Sequence, residues 1–228
     1  MKPPKKITVL LAEDHAFVRQ GLRMLLEAEG RCEVVGEAQT GREAVELAGT
    51  LRPDVILMDI AMPVLNGLEA TRQILATQPA AKIIMLSAHS DDEYVERTTT
   101  LGATGFLEKQ TSAEVLLQAI HTVAKGNPFF SPAIARRLAH GKSRARGRDG
   151  LFMPHGSSLT SRETEVLQLV AEGYSNKQIA GALHISIKTV EKHRQHVMDK
   201  LNVHETAGLT RYAIGQGIIE GRVKVTIT

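Results

Sequence analysis

Over its first 125 residues the chain alternates short apolar runs with amphipathic segments. The runs are rich in β-branched residues and predict strands at 7–12, 32–38, 55–59, 82–87 and 105–109. The amphipathic segments predict helices near 16–28, 41–52, 66–78, 91–101 and 112–125. Because the runs lack polar alternation, both faces of each strand should be covered by helices. The pattern therefore predicts a doubly wound (βα)₅ domain of α/β class with a parallel sheet.

The second half of the chain follows a different pattern. Residues 126–158 are rich in Pro, Gly, Ser and Arg, which is typical of a linker, with a short helix in PFFSPAIARRLAH and a basic tether in GKSRARGRDG. Helical periodicity resumes at Leu159 and continues to about Gln216. We therefore predict an α/β domain at 1–125, a linker at 126–158 and a small all-α domain of four helices at 159–228.

The two halves carry opposite net charge. Residues 1–125 contain 13 Lys+Arg and 17 Asp+Glu, which leaves 15 and 8 for the rest of the 228-residue chain. An acidic domain joined to a basic one indicates that the second domain meets a polyanion. A solvated basic surface with no ligand is the alternative interpretation.

Cysteine usage and hydropathy indicate the compartment. Cys32 is the only cysteine of the chain, so an internal disulfide and a cluster of several thiolates are both excluded. No apolar run reaches the roughly 20 residues that a bilayer span requires, and the basic N-terminus lacks the pattern of a signal peptide. We expect a cytoplasmic protein that does not bind a membrane.

Five polar side chains lie at or just after the carboxyl ends of four predicted strands: Glu13, Asp14, Asp59, Ser87 and Lys109. Ligands collect at this edge of a parallel sheet. Three carboxylates repel one another unless a cation lies among them, and an oxygen-only set selects a hard ion such as Mg²⁺. A surface acid or a helix cap is the alternative for each residue alone, but the combination favours a metal-dependent site.

The chemistry expected at this site is phosphoryl transfer to a carboxylate. Asp59 is the predicted nucleophile and would form an aspartyl phosphate, while Glu13 and Asp14 hold the metal. The transferred group carries negative charge, so positive and hydrogen-bonding groups must surround it. Lys109 would provide the charge and Ser87 the hydroxyl donor.

Through LLAEDH, LMDIAMPVLNG, LSAHS and GATGFLEK, the first domain resembles the receiver domain of bacterial two-component response regulators, over roughly residues 5–125. The resemblance implies that Asp59 accepts phosphate from a sensor histidine kinase and that the backbone carbonyl of Ala61 also ligates Mg²⁺. It further implies that Phe106 is a switch residue, which swings inward when Ser87 moves toward the phosphoryl group. Ordinary core packing is the alternative for Phe106.

The third predicted helix of the second domain, at about 187–201, combines an apolar and a basic face. At about 100° per residue, Val190 and Val197 share one face, and Lys188 and Lys192 lie on the opposite one. Thr160 or Ser161, Ser175 or Asn176, and Ser186 are the predicted caps of the first, second and third helices. Two helices joined by a short turn, the second long and basic, predict a helix-turn-helix.

Through LTSRETEVLQLVAEGYSNKQIA and ISIKTVEKHRQHVMDKL, this domain resembles the LuxR-type helix-turn-helix of NarL/FixJ response regulators. The resemblance implies double-stranded DNA as the ligand and a homodimer on DNA. Residues that would face base edges are Glu191, Lys192 and Gln195. Residues that would lie near phosphates are Lys188, Thr189, His193, Arg194, Asn176 and Lys177. Residues that would form the dimer contact are Leu209, Tyr212 and Ala213.

Together these patterns predict a response regulator in which phosphorylation of Asp59 controls DNA binding and transcription. One alternative retains DNA binding without phosphorylation. The other is a Mg²⁺-dependent phosphohydrolase, which is disfavoured because no second acid is placed as a general base, so we do not expect an enzyme. His89, two residues after Ser87, is a further candidate for influencing the lifetime of the aspartyl phosphate.

Overall fold

The computed structural model describes residues 5–88, 92–130 and 159–219, which form two compact units. The first unit is a parallel sheet with helices. Its strands are β1 Ile7–Ala12, β2 Cys32–Ala38, β3 Val55–Asp59, β4 Ile83–Ser87, β5 Gly105–Glu108 and β6 Phe129–Phe130. Its helices are α1 Ala16–Glu29, α2 Gly41–Leu51, α3 Gly67–Thr77, α4 Asp92–Leu101 and α5 Ala113–Ala124. His89 and residues 131–158, which include most of the predicted short helix and the basic tether, lie outside the described residues.

The strand order of the sheet is β2-β1-β3-β4-β5-β6, and all pairs are parallel. Helices α1 and α5 pack against one face, where Leu26, Leu116 and Ile120 join the strand residues Leu11 and Leu57 in a buried cluster. Helix α2 contacts β1, α3 contacts β3 and α4 contacts β5. Helix α3 also packs between α2 and α4. The predicted doubly wound α/β fold is thus confirmed, because the reversal of strand order after β1 places helices on both faces.

The sheet also has a sixth strand within the segment assigned to the linker. Phe129 and Phe130 pair with Gly105 and Phe106 of β5. The close pairing needs a glycine, since a Cβ at Gly105 would lie 2.8 Å from the carbonyl oxygen of Phe129. The assignment of Phe129 and Phe130 to the linker is therefore corrected. A two-residue strand is too short to show the alternation that identifies strands in sequence.

The second unit consists of four helices, α6 Ser161–Ala171, α7 Asn176–Leu183, α8 Ile187–Leu201 and α9 Thr206–Gly215. Hydroxyl side chains begin the first three helices. Thr160 accepts from the N–H of Glu163, and Glu163 accepts in return from the N–H of Thr160, which forms a capping box. Ser175 and Ser186 cap α7 and α8. These caps satisfy backbone donors that have no partner within a helix.

The interior of the second unit is formed by apolar residues of all four helices, which include Val166 and Leu169 of α6, Ile179 of α7, Val190 and Val197 of α8, and Leu209 of α9. The predicted apolar face of α8 is therefore the face that packs inward. None of the helices in the described part of the chain combines the length and the apolarity that a bilayer span requires.

Candidate functional site

Two carboxylates and one lysine meet at the carboxyl edge of the sheet. Asp59 ends β3, Glu13 directly follows β1, and both side chains are buried. Lys109 directly follows β5, and its Nζ lies 2.7 Å from Glu13 Oε2 and 2.9 Å from Asp59 Oδ2. Its backbone N–H donates to the carbonyl oxygen of Ser87 at 2.7 Å, which fixes the point where the chain leaves β5.

Burial and the neighbouring Glu13 carboxylate raise the pKa of Asp59 to about 6, although Lys109 acts in the opposite direction. Burial lowers the pKa of Lys109, but the charges and hydrogen bonds of Asp59 and Glu13 outweigh this effect, so the net shift is upward. One lysine therefore does not fully compensate the two buried carboxylates. A site of this kind gains stability from an additional cation.

The oxygen atoms at this edge fit a divalent cation. Single ligand atoms of Glu13, Asp14, His15 and Asp59 all lie within 4.8 Å of one another. Glu13 Oε2, Asp14 Oδ1 and Asp59 Oδ2 are buried. Lys109 Nζ lies within ion-pair distance of the Glu13 and Asp59 oxygens, and His15 Nδ1 lies 2.8 Å from Asp14 Oδ1. Small hard cations such as Mg²⁺ bind carboxylate oxygens of this kind and retain several waters.

The remaining predicted residues are Ser87, expected from its position at a strand end, and Ala61 and Phe106, which the family resemblance implied. Ser87 is the last residue of β4 and is buried. Ala61 follows Asp59 by two residues, and its N–H donates to Asp59 Oδ1 at 3.4 Å. Phe106 lies inside β5 and is 0% exposed, so its ring already points inward.

Sequence reasoning did not assign roles to three residues that support the site. His15 Nδ1 lies 2.9 Å from Glu13 Oε1 and 2.8 Å from Asp14 Oδ1, so the cluster includes an imidazole and is not composed of oxygens alone. Arg19 Nη1 donates to the carbonyl oxygen of Glu13 at 2.7 Å and holds the loop after β1. His15 could have been found from the sequence, because it ends the motif LLAEDH. Arg19 lies outside that motif, one helical turn further on.

Gly67 is the third of these supporting residues. A Cβ at this position would lie 1.9 Å from the carbonyl oxygen of Asp59, closer than any side chain can approach. The N–H of Gly67 also donates to the carbonyl oxygen of Ile60 at 2.8 Å. Gly67 thus allows the start of α3 to pack directly against the backbone of Asp59. Gly67 could have been found from the sequence, because it is the glycine that ends LMDIAMPVLNG.

The candidate nucleic-acid interface of the second unit is the outer face of α8. Lys188, Glu191, Lys192 and Gln195 are exposed, while Thr189, His193 and Arg194 are half-buried. In α7, Lys177 is exposed and Asn176 is half-buried. Helix α8 therefore presents basic and amide side chains on the face opposite Val190 and Val197, which suits the major groove of DNA.

Two of the residues expected near phosphates also make contacts inside the domain. Arg194 Nη1 donates to Asn176 Oδ1 at 2.7 Å, and Arg194 Nη2 donates to Thr206 Oγ1 at 3.1 Å. Arg194 thereby joins the starts of α7 and α9 to α8. Burial and the positive charge of Arg162 lower the pKa of His193, which favours the neutral imidazole.

The expected dimer contact of α9 requires a correction. Leu209 and Ala213 are each 0% exposed and belong to the apolar interior of their own domain, with Tyr212 packed against that interior. Leu209 and Ala213 therefore do not present a surface to a second copy. The exposed stripe of α9 consists of Ala207, Arg211 and Ile214, which are spaced by four and three residues.

The fold and the two sites define a class of protein, namely an α/β receiver-type domain followed by a helix-turn-helix domain. Comparison with known proteins agrees. The response regulator receiver domain family matches residues 9–121, and the luxR family of bacterial regulatory proteins matches residues 157–213. The chain is 38% identical to the transcriptional regulatory protein DegU of Brevibacillus brevis, with 96% of each chain covered.

Two further comparisons support the same assignment. The response regulator protein VraR of Staphylococcus aureus is 37% identical, over 94% of this chain and 99% of that protein. A structure of the Salmonella typhimurium response regulator RcsB is 28% identical, with a TM-score of 0.55 over 91% of this chain and 98% of that one. The chain belongs to the LuxR-type response regulators, and it controls transcription.

Proposed function

We propose that Asp59 accepts a phosphoryl group from a sensor histidine kinase and that this modification controls DNA binding by α8. The observation that carries the proposal is the position of Asp59, which is buried at a strand end with Lys109 Nζ 2.9 Å from its carboxylate. An Asp59 oxygen attacks the phosphorus, the bond from phosphorus to the imidazole nitrogen of the donor breaks, and that nitrogen takes up a proton. Lys109 and Ser87 stabilise the charge on the transferred group.

Glu13, Asp14, Asp59 and the carbonyl of Ala61 would hold Mg²⁺ at this edge. When bound, the ion neutralises negative charge on the phosphoryl oxygens. The supporting observation is that a buried carboxylate oxygen of each of Glu13, Asp14 and Asp59 converges at this edge. Lys109 has a second role in this proposal, because it already neutralises part of the charge of Glu13 and Asp59 before any phosphoryl group arrives.

We propose that the signal leaves the site through Ser87 and Phe106. Movement of the Ser87 hydroxyl toward the phosphoryl group changes the packing at the end of β4, beside β5. Phe106 is buried in β5 opposite Met85, so its ring responds to changes in β4. Phosphorylation thus shifts a conformational equilibrium of the receiver surface.

The DNA contacts are proposed for α8 and the start of α7. Glu191, Lys192 and Gln195 read base edges, the role that the family resemblance implies for them, and all three are exposed on α8. The residues proposed to position the phosphate backbone are Lys188, Thr189, His193, Arg194, Asn176 and Lys177. For Arg194 and Asn176, this role requires that their mutual contact reorganise or be shared with a phosphate.

A homodimer on DNA is proposed through the exposed stripe of α9, formed by Ala207, Arg211 and Ile214. The support comes from a related structure of RcsB, described as two dimers bound to two parallel DNAs, which is 27% identical with a TM-score of 0.55. A symmetric dimer of this kind matches a palindromic operator. We place its action in the cytoplasm, where the kinase and the DNA target are both accessible.

The test compares DNA binding by the full chain with and without acetyl phosphate and Mg²⁺, beside Asp59→Asn. We expect phosphorylation to increase affinity or oligomer size in the wild type and to change neither in Asp59→Asn. Intact-mass measurement should show one phosphoryl adduct in the wild type only. An adduct that forms without any change in affinity, footprint or oligomeric state would contradict the switch. Multiple-turnover phosphatase assays test the alternative of an enzyme.

A further inference from the structure

A second cluster of metal-ligating side chains lies at the amino ends of the strands, on the side of the receiver sheet opposite to Asp59. Cys32 is the first residue of β2 and pairs with Ile7 at the start of β1, so it lies at the amino ends of the strands. Glu29 ends α1, and His121 lies in the last turn of α5. Asp59 lies at the carboxyl end of β3, so this cluster is separate from the phosphoacceptor site.

The three side chains converge on one point. A ligand atom of each, the Cys32 thiol sulfur, an imidazole nitrogen of His121 and a carboxylate oxygen of Glu29, lies within 4.8 Å of the other two. His121 Nε2 is 3.1 Å from Glu29 Oε1. Two ligands of one tetrahedral zinc ion are separated by about 3.3–3.6 Å, given bond lengths of about 2.0–2.3 Å. The 3.1 Å between the nitrogen and the oxygen is slightly shorter than this separation, and the sulfur lies within 4.8 Å of both, so the three atoms are close to the arrangement that one ion requires.

The surroundings hold this cluster in place. Cys32 is 1% exposed, while Glu29 and His121 are half-buried and reach the surface. The backbone N–H of Arg31 donates to Glu29 Oε2 at 2.9 Å, which orients the carboxylate. Glu29 Oε1 faces His121 Nε2 at 3.1 Å, and the exposed Arg31 side chain lies further away, with its Nε at 3.6 Å. Contacts of this kind to the outer oxygen of a ligand are typical of metal sites.

We propose that Glu29, Cys32 and His121 bind one zinc ion, with water from solvent as the fourth ligand. A mixed set of sulfur, nitrogen and oxygen atoms favours a borderline ion such as Zn²⁺ over Mg²⁺. Binding replaces the proton of the Cys32 thiol, which is released to solvent. The ion joins the end of α1, the start of β2 and the end of α5, and it thereby stabilises the receiver independently of phosphorylation.

Cobalt spectroscopy tests the proposal on the full, reduced and metal-free chain. Co²⁺ is added in the presence of excess Mg²⁺, which saturates the oxygen ligands around Asp59. We expect a sulfur-to-cobalt charge-transfer band that saturates at one equivalent and disappears when Zn²⁺ is added. Because Cys32 is the only cysteine of the chain, a band of this origin reports on this cluster alone.

Two variants distinguish a metal site from a simple ion pair. Cys32→Val keeps an apolar side chain in the buried position and should abolish the band. His121→Gln retains an N–H donor for Glu29 but no imidazole, and it should lower the affinity for Co²⁺ at least about tenfold. Zn²⁺ should also raise the melting temperature of the wild type but not that of His121→Gln. The absence of a sulfur band with excess Co²⁺, or an unchanged affinity in His121→Gln, would overturn the proposal.

Discussion

The acidic site of the receiver is assembled from residues far apart in the chain, whereas the basic face of the second domain comes from a single helix. Lys109 Nζ lies within 2.9 Å of a carboxylate oxygen of both Glu13 and Asp59 only because three parallel strands end at one edge. Lys188 and Lys192 share a face because they are four residues apart in α8. The receiver site thus depends on the whole sheet, while the basic face depends on how one helix is capped and packed.

The two sites also differ in solvation. Burial of like charges makes the receiver site electrostatically unfavourable without a cation in addition to Lys109, and the raised pKa of Asp59 reflects this. The charged residues of α8 are exposed, so their repulsion is screened by water and salt. Substitutions that disturb packing behind either site should therefore cost more stability than substitutions on the exposed face of α8.

The largest effect on stability is expected at Leu209. A role in interior packing predicts that its substitution lowers stability, whereas a role in the dimer contact predicts that it weakens only dimerisation. Leu209→Ala removes a fully buried side chain and should lower the free energy of unfolding of the second domain by about 2–5 kcal/mol. The matched variant Ile214→Ala, on a side chain that is 44% exposed, should change it by less than about 0.5 kcal/mol and weaken dimerisation on DNA. Urea unfolding measures the stability of each variant, and sedimentation in the presence of DNA measures its dimerisation. If Leu209→Ala weakened only the dimer, the placement of Leu209 in the interior would be wrong.

Gly67 tests how far the receiver site depends on backbone packing. Gly67→Ala places a methyl group against the carbonyl of Asp59, and the shift that relieves it should cost about 1–3 kcal/mol and slow phosphorylation by acetyl phosphate. Gly49→Ala in α2 is the control, because its Cβ meets no atom within 4 Å and the change should stabilise the helix by about 0.5–1 kcal/mol. Equal effects of the two substitutions would show that the close approach at Asp59 is unimportant.

The sequence was most informative where a pattern is long and continuous. The predicted bounds of β1, β2 and β3 agree with the structure, because apolar or β-branched runs end at clear polar residues. Helix α8 was also predicted at 187–201, since Ser186 marks its start and Val190 and Val197 mark its inner face. Strand β6 was missed because Phe129 and Phe130 are held by pairing with β5, which no local pattern records.

The candidate sites were predictable to the extent that topology alone brings residues together. The positions of strand ends identified Glu13, Asp59 and Lys109. The role of Arg19 depends on the conformation of a side chain on α1, which topology does not specify. The family resemblance identified the helix that contains Leu209 but not the face that the side chain occupies. Glu29 and His121 are 92 residues apart and neither ends a strand, so the rule that found the first site could not find the second.

On DNA, the exposed face of α8 should divide into residues that set affinity and residues that set specificity. Lys188→Ala should reduce affinity for all sequences and make the dependence of log K on log salt concentration shallower by about 0.9 per site. Gln195→Ala should leave that slope unchanged and weaken discrimination at one base pair by about 1 kcal/mol. This value lies at the low end of the roughly 1–3 kcal/mol expected for a base contact. The amide of Gln195 donates to Asp199 at 2.8 Å in the free protein, and this contact competes with a base contact. Identical salt slopes for wild type and Lys188→Ala would exclude a phosphate contact.

The smallest expected effect concerns Glu163, the buried acid that joins α6 to α8. Burial raises its pKa, but hydrogen bonds from Lys200, at 2.6 Å, and Thr160 outweigh this and leave the pKa below its ordinary value. A lowered pKa stabilises the folded state at neutral pH, and this contribution is lost as pH falls through the folded-state value. Glu163→Gln preserves the acceptor for the Thr160 N–H, so it isolates the charge.

We therefore expect Glu163→Gln to cost up to about 1 kcal/mol of unfolding free energy at pH 7 and almost nothing near pH 3, measured by urea unfolding across this range. Glu205→Gln is the matched control, because the pair of Glu205 with Arg211 is largely exposed and should contribute little at either pH. A difference between wild type and Glu163→Gln that persisted at pH 3 would show that the side chain acts through shape and not through charge. The cap of α6 would then hold α8 in place without help from the Lys200 ion pair.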